Sequence, residues 1–386
     1  MKLKEHPDKS RGVFFDMKCK KILEYFEHWA PAANAWERDN VGLQVGNENS
    51  SIKNILLSLD LNNKVVDEAI KRNCNLIITH HPFLFHPIKN INTTIDTRSI
   101  IIEKLLKKDI NVFSAHTNLD FTKDGVSFQL AKAIGLKDIQ FLKNLKNDQF
   151  KLVVFVPDKN LEKVAEAIHN AGGGVIGEYS NCGFRMNGTG TFKGSADSNP
   201  AIGKKNMLEK VEETRLEVLV SKSDLSKVIS SMVKAHPYEE VAYDIYPLKN
   251  DNVNFGFGAI GEFEKGMNTQ QFFKTLSKNL KLKNFRYTTG KSNSVKKVAV
   301  CGGSCSELVD EAISSGADAF VTADLKYHTF QDAEGKIFLI DAGHYETEAP
   351  VLIEIKKRLE KDLIGNKSIK VFKYSGSTNP VLFYNN

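Results

Sequence analysis

Residues 75–83 read NLIITHHPF. The unbroken apolar run predicts a strand buried on both faces, and Pro82 predicts its end just after His80 and His81. Its surroundings repeat one rhythm. KNILLSLDL (53–61) is another buried-strand run, and NNKVVDEAIKRN (62–73) is an amphipathic helix that Asn73 can close. Beyond the histidines, a polar loop with Pro87 leads to a helix over TRSIIIEKLLKKD (97–109) and a strand NVFSAH (111–116). MKCKKILEYFEHWAP (17–31) supplies a helix stopped by Pro31. Strands alternating with helices of this length define an α/β fold with a parallel sheet covered on both faces.

The same rhythm returns near the C-terminus. VKKVAVCGG (295–303) is a strand entering a Gly-rich turn, SELVDEAISSG (306–316) a helix, ADAFVTAD (317–324) a strand, and KIFLIDAGH (336–344) another. A long helix over ETEAPVLIEIKKRLEKDL (346–363) and a last strand IKVFKYS (369–375) complete the region. NLIITHH aligns with DAFVTAD, and INVFSAHTNLD with KIFLIDAGHYETE. We therefore expect two related halves, 17–140 and 290–386, forming one domain with their strand ends facing a shared site. Residues 148–250 differ: FKLVVFVP, LEKVAEAIHNAGGG, a Gly/Asn/Ser-rich stretch, RLEVLVSK, LSKVISSMVKAH and VAYDIYPL give a β-α-β-β-α-β, ferredoxin-like order. They read as an inserted α+β domain, with 251–289 as the return connection and 1–16 as a flexible terminus.

Five candidate metal ligands lie at the predicted strand ends: His80, His81, Asp120 in SAHTNLD, and His344 with Glu348 in DAGHYETE. In open α/β sheets this edge is where ligands bind. His344 and Glu348, four apart at a helix start, share a face. The set is too large for one structural zinc and suits two divalent ions bridged by a carboxylate, for which Glu348 is the candidate. Imidazole with carboxylate suits Zn first, with Fe(II), Mn or Co as alternatives, and no cysteine belongs to the set. Each piece also has a plain structural use. Asp120 could cap a turn, His344 and Glu348 could serve a helix start, and a His-His pair alone is more often coincidence than site. Three such clusters at strand ends make coincidence the poorer account. His116 and His328 stand between a role behind the ligands and a satisfied structural histidine.

Bulk properties exclude more than they assign. The formal charge of +6 comes from scattered lysines, not a dense patch, so nucleic acid is not an expected partner. No apolar run approaches the ~20 residues that span a bilayer. MKLKEHPDKSRGVFFDMK lacks the apolar core of a signal peptide, so the cytoplasm is the expected compartment. Five scattered cysteines make no disulfide framework, and CGGSC (301–305) is a weak redox or zinc signal in a tight turn.

ITHHP, AHTNLD, GGS with ADLKYH, and GHYETE resemble, in order, the dinuclear-metal-centre family of GTP cyclohydrolase 1 type 2 homologues, the NGG-interacting-factor-three-like proteins. WERDNVGLQVGN (36–47) and AHPYEEVAYDIYPL (235–248) extend the match to nearly the whole chain, with Cys305 where a glycine would be usual. The resemblance implies ligands at His80, His81, Asp120, His344 and Glu348. It also implies an insertion like the PII and CutA trimers and a toroidal homohexamer. The activity implied is a metal-dependent hydrolase acting on a small molecule, a nucleotide among the candidates; the alternatives are a metal-binding sensor or a scaffold.

Overall fold

The computed structural model describes residues 17–146, 148–177, 179–363 and 369–384; the terminus 1–16 lies outside the described residues. The described residues form a mixed α/β fold with three sheets. The first has the strand order Gly42–Val45, Asn111–Ser114, Leu76–Thr79, Asn54–Ser58, Lys370–Lys373. All its pairings are parallel except that of the edge strand Gly42–Val45. The second runs Arg286–Tyr287, Phe338–Asp341, Ala319–Ala323, Ser294–Ser304, Gly256–Asn268, Lys137–Asn144, with the Phe338, Ala319 and Ser294 strands parallel.

The central strands are as apolar as the sequence implies. Leu76, Ile77 and Ile78 are wholly buried, each contributing about 1.5–3 kcal/mol on the usual transfer scale. A strand fixed this firmly positions whatever follows it. The neighbouring helix Asn63–Lys71 turns Val65, Val66 and Ala69 inward, starts with the Asn62 side chain accepting from the Val65 amide, and stops at Asn73 in the left-handed region (φ 54°). The helix Val126–Ile134 joins the two sheets: Val126 packs in the first core, and Leu130, Ala131 and Ile134 in the second. One helix thereby contributes to both cores.

The chain distributes itself less simply than its two sequence halves suggest. The last strand, Lys370–Lys373, pairs with Asn54–Ser58 in the first sheet. Lys137–Asn144 pairs with Gly256–Asn268 in the second, so the stretch read as a return connection supplies a long strand and the helix Thr269–Leu280. The long helix expected over 346–363 is divided. His344–Glu348 and Val351–Arg358 are separate helices with Pro350, which has no amide hydrogen, between them, and Leu359–Leu363 continues as a wider π turn.

The third sheet, Gly183–Lys193, Leu208–Ser221, Gln149–Pro157, Tyr243–Pro247, is wholly antiparallel. Helices Leu161–Asn170 and Leu225–Ala235 share a core with it through Val164, Ile168, Val228 and Met232. The element order is the β-α-β-β-α-β read from the sequence.

Candidate metal centre

Adjacent strand residues point to opposite faces, so His80 and His81 can converge only past the strand's end. The strand stops at Thr79, and the chain then bends so that the His80 and His81 amides reach Ser58 O (3.3 Å) and Leu59 O (2.9 Å). Thr79 Oγ1 donates to His81 O at 2.9 Å and fixes the bend. His344 and Glu348 come from the opposing sheet, on the first and last residues of one short helix.

The two edges meet directly. His81 Nε2 and His344 Nε2 are 3.3 Å apart; Glu348 Oε1 lies 3.0 Å from His344 Nε2, and its Oε2 lies 3.1 Å from His81 Nε2. His80 Nε2 stands 3.5 Å from Asp120 Oδ1 and 3.6 Å from Glu348 Oε1. Two sets of side chains bring their ligating atoms within 4.8 Å of one another: His80, His81 and His116, and His81, His344 and Glu348. All five ligands expected from the sequence thus lie in one cluster, and His116 stands beside them with its ring 5.2 Å from His80 and 5.4 Å from His81. His328 does not join it: that ring is exposed at a helix start and faces Gln331 Oε1 at 3.3 Å.

The outward nitrogen of each histidine is held. His80 Nδ1 meets Ala115 O at 2.8 Å, His81 Nδ1 meets Asp60 at 2.8 Å, His116 Nδ1 meets Asp39 at 2.9 Å, and His344 Nδ1 meets Asp324 at 2.6 Å. A partner on Nδ1 directs Nε2 inward and makes it more basic, as behind metal-bound imidazoles. Asp39, Asp60 and Asp324 were not singled out in the sequence. A signal existed for two of them, since Asp60 and Asp324 each follow a buried strand within two residues, like the ligands themselves.

The electrostatics call for a cation. Burial works against the His81 imidazolium, but the Asp60 and Glu348 carboxylates push its pKa up to about 10. The Glu348 carboxylate, against the opposing effect of burial, raises His344 to about 9. Burial disfavours ionised Glu348, yet the surrounding His80, His344 and His81 outweigh it and hold its carboxyl well below the usual range. Asp120 is driven the other way, to about 7, by burial and the Glu348 charge. Burial would raise Asp39 too, but His116 and the hydroxyl and amide of Thr117 hold it at about 2.

Three buried atoms here have no hydrogen-bond partner: His80 Nε2, Asp120 Oδ1 and Glu348 Oε2. Orphaned buried polar atoms are costly and rare; these three come from three separate segments, with Asp120 Oδ1 3.5 Å from His80 Nε2 and Glu348 Oε2 3.1 Å from His81 Nε2. Their donor types, imidazole nitrogen and carboxylate oxygen, fit a divalent ion. The cluster can hold metal.

The family model Duf34/NIF3 (NGG1p interacting factor 3) matches residues 17–380. The chain is 41% identical over 366 residues to the GTP cyclohydrolase 1 type 2 homolog of Halalkalibacterium halodurans, covering 94% of this chain and 98% of that protein. Its Bacillus subtilis counterpart of the same name is 39% identical over 94% of this chain and 98% of its own length. The crystal structure of a Bacillus cereus protein related to NIF3 superposes with a TM-score of 0.81 at 38% identity, covering 96% of this chain and all of that one. The chain belongs to the Duf34/NIF3 family.

Proposed function

We propose that this protein is a dinuclear metal-dependent hydrolase, with His80, His81, Asp120, His344 and Glu348 as ligands and Glu348 bridging the two ions. The observation that carries the reading is the trio of buried atoms without a hydrogen bond, on His80, Asp120 and Glu348, gathered between two sheet edges. Zinc fits the donors first, with Fe(II), Mn or Co as alternatives. A bound pair of such ions supplies Lewis acidity and lowers the pKa of water toward neutrality.

The chain's own groups supply the rest. Asp60 and Asp324 fix the His81 and His344 rings. His116, oriented by Asp39, stands at the edge of the cluster beside His80 and His81, placed to relay a proton. Burial of Glu348 at 3% exposure and of His80 at 0% keeps bulk water from the inner side. Beside the cluster lies a cleft of about 1550 Å³ lined by Lys64, Lys89, Arg98 and Thr378. Thr378 Oγ1 donates to Asp60, the residue behind His81. Lys64, Lys89 and Arg98 outnumber Asp96 in this cleft, which favours an anionic substrate, and a nucleotide satisfies that chemistry, as the name of the relatives suggests.

The reading extends to assembly: two related halves, a PII/CutA-like insertion over 148–250, and a toroidal homohexamer in the cytoplasm. The meeting of the two clusters at 3.3 Å supports the halves. Exposed Phe184, Met186 and Tyr246 on the inserted sheet support association. No described helix is long and apolar enough to cross a membrane.

Metal content per chain, measured by plasma mass spectrometry on tag-free protein, tests the centre. About two divalent ions are expected, falling in His344→Ala and Glu348→Ala. Turnover across a panel of nucleotides, phosphoesters and amides then tests the hydrolase, with Glu348→Gln inactive. Full metal with no turnover anywhere would sink catalysis in favour of a metal-binding or sensor role.

A further inference from the structure

The turn CGGSC (301–305) does more than end a strand. Cys301 lies within Ser294–Ser304, Cys305 just beyond it, and their sulfurs are joined in a disulfide. The ring so closed contains Gly302 and Gly303, and these glycines form the wall behind Glu348. A methyl group on Gly303 would lie 2.5 Å from Glu348 Oε1 and 3.4 Å from His344 Nε2; one on Gly302 would lie 3.5 Å from Glu348 Cγ. Only backbone fits there. Gly303 has φ +67°, and the turn is tied on each side: its amide donates to Thr347 Oγ1 (3.0 Å), its carbonyl accepts from Thr322 Oγ1 (2.9 Å), and the Gly302 amide donates to Ser127 Oγ (3.4 Å). Thr347 is the residue before Glu348. A covalent link across this turn restricts the surface on which a metal ligand rests.

We propose that Cys301 and Cys305 are a site of reversible oxidation, whose disulfide state fixes Gly302 and Gly303 against Glu348 and raises the metal affinity of the cluster. The effect on affinity rests on the metal reading above; the oxidation does not. Cys301 is 5% and Cys305 8% exposed, so the matching oxidant is small: a hydroperoxide. One thiolate attacks the peroxide, the O–O bond breaks, and an alcohol or water leaves once protonated. The sulfenic acid formed is displaced by the second sulfur, releasing water. Two thiols and one hydroperoxide thus give one disulfide, one alcohol or water, and one further water. A dithiol or phosphine returns the two electrons.

The experiment uses the full chain, tag-free, treated with hydrogen peroxide or with a phosphine and then desalted. Alkylation with peptide mapping counts thiols, and competition against a chromogenic chelator gives Zn²⁺ affinity. Oxidised protein is expected to lose both Cys301 and Cys305 from the alkylated pool and to bind Zn²⁺ on the order of tenfold more tightly than reduced protein. Cys305→Ser and Cys305→Ala, two fillings of one buried site, are expected to match the reduced protein after either treatment. Full alkylation of both cysteines after peroxide overturns the oxidation site. Equal, measurable affinities in the two wild-type states overturn the switch and leave the metal reading standing. Absence of Zn²⁺ binding in either state overturns the metal reading and the switch with it.

Discussion

Two histidine–carboxylate clusters among the described residues are built to opposite rules. In the region 148–250, His236 Nε2 meets Phe155 O at 3.0 Å, its Nδ1 accepts the Tyr238 amide at 3.1 Å, and the Tyr238 hydroxyl donates to Glu213 Oε1 at 2.7 Å. Those atoms are partnered, and burial lowers the pKa of His236, so the ring stays neutral. At the sheet edges, His80 Nε2, Asp120 Oδ1 and Glu348 Oε2 make ionic approaches of 3.1–3.5 Å but no hydrogen bond, and His81 and His344 are pushed up to about 10 and 9. A closed, fully hydrogen-bonded network specifies structure; an open one with surplus acceptors and ring nitrogens suits a cation. The difference lies in what is unsatisfied, because the residue types are nearly the same.

The contrast predicts first that removing a carboxylate has opposite consequences in the two places. Glu348→Ala should reduce bound metal from about two ions per chain to less than one and erase the rise in melting temperature that added metal gives. Glu213→Ala should leave metal content unchanged while lowering the melting temperature. Plasma mass spectrometry and a thermal scan on both variants decide it. Full metal in Glu348→Ala would break the comparison at its root.

Protons sharpen it next. His81 and His344 carry protons at neutral pH in the metal-free protein, and a metal must displace them. Apparent affinity should therefore climb with pH from 6 to 9, on the order of tenfold per unit for each proton displaced. The climb should be steeper below about 7, where Asp120 also holds a proton. The sign for folding is the reverse. A histidine raised from its ordinary value near 6.5 adds stability below that pH, and the gain is lost as pH rises through 9 to 10. Asp120, also raised, acts in the same direction across 4 to 7. Metal-free protein should thus melt lower as pH rises, and metal-loaded protein should not. Calorimetry with and without chelator at pH 6 and 9 checks both, and parallel curves would contradict the assignment.

A smaller effect tests the carboxylates behind the rings. Asp60→Asn and Asp324→Asn each keep the shape and remove the charge on His81 or His344. Each should weaken metal binding by about 10- to 100-fold in a chelator competition, with the fold intact by circular dichroism. Unchanged affinity would make these aspartates mere surface partners.

How much of this was legible follows from what the chemistry depends on. The buried strands, their alternation with helices and the five clustered candidate residues could be read because apolar runs and strand-end polarity are local signals. The order β-α-β-β-α-β in 148–250 was local too. The return of Lys370–Lys373 to the first sheet, and the pairing of Lys137–Asn144 with Gly256–Asn268, were not. Strand partnership is a long-range choice that no window of sequence records. His116 and His328 looked alike in sequence, each a histidine at a helix start after a strand. One faces Asp39 and the ligands, the other solvent, because the first follows the strand Asn111–Ser114 directly while the second sits past the turn at Asp324. The disulfide was visible only as a spacing.

The smallest effect probes the closed cluster itself. Tyr238→Phe deletes one hydroxyl and leaves Glu213 Oε1 without its donor, in a place where a methyl group on Gly190 would already collide with the other oxygen. Stranding a largely buried carboxylate oxygen costs about 1–3 kcal/mol, which a urea midpoint resolves. The Tyr238 hydroxyl is held protonated by burial and by its bond to Glu213, so the loss should be the same at pH 6 and 9. That pH-independence separates the two clusters, since the sheet-edge one changes with every proton it releases. Metal content in Tyr238→Phe should match wild type. A fall would mean that the network in 148–250 props up the sheet-edge cluster, and the two clusters would have to be read as one.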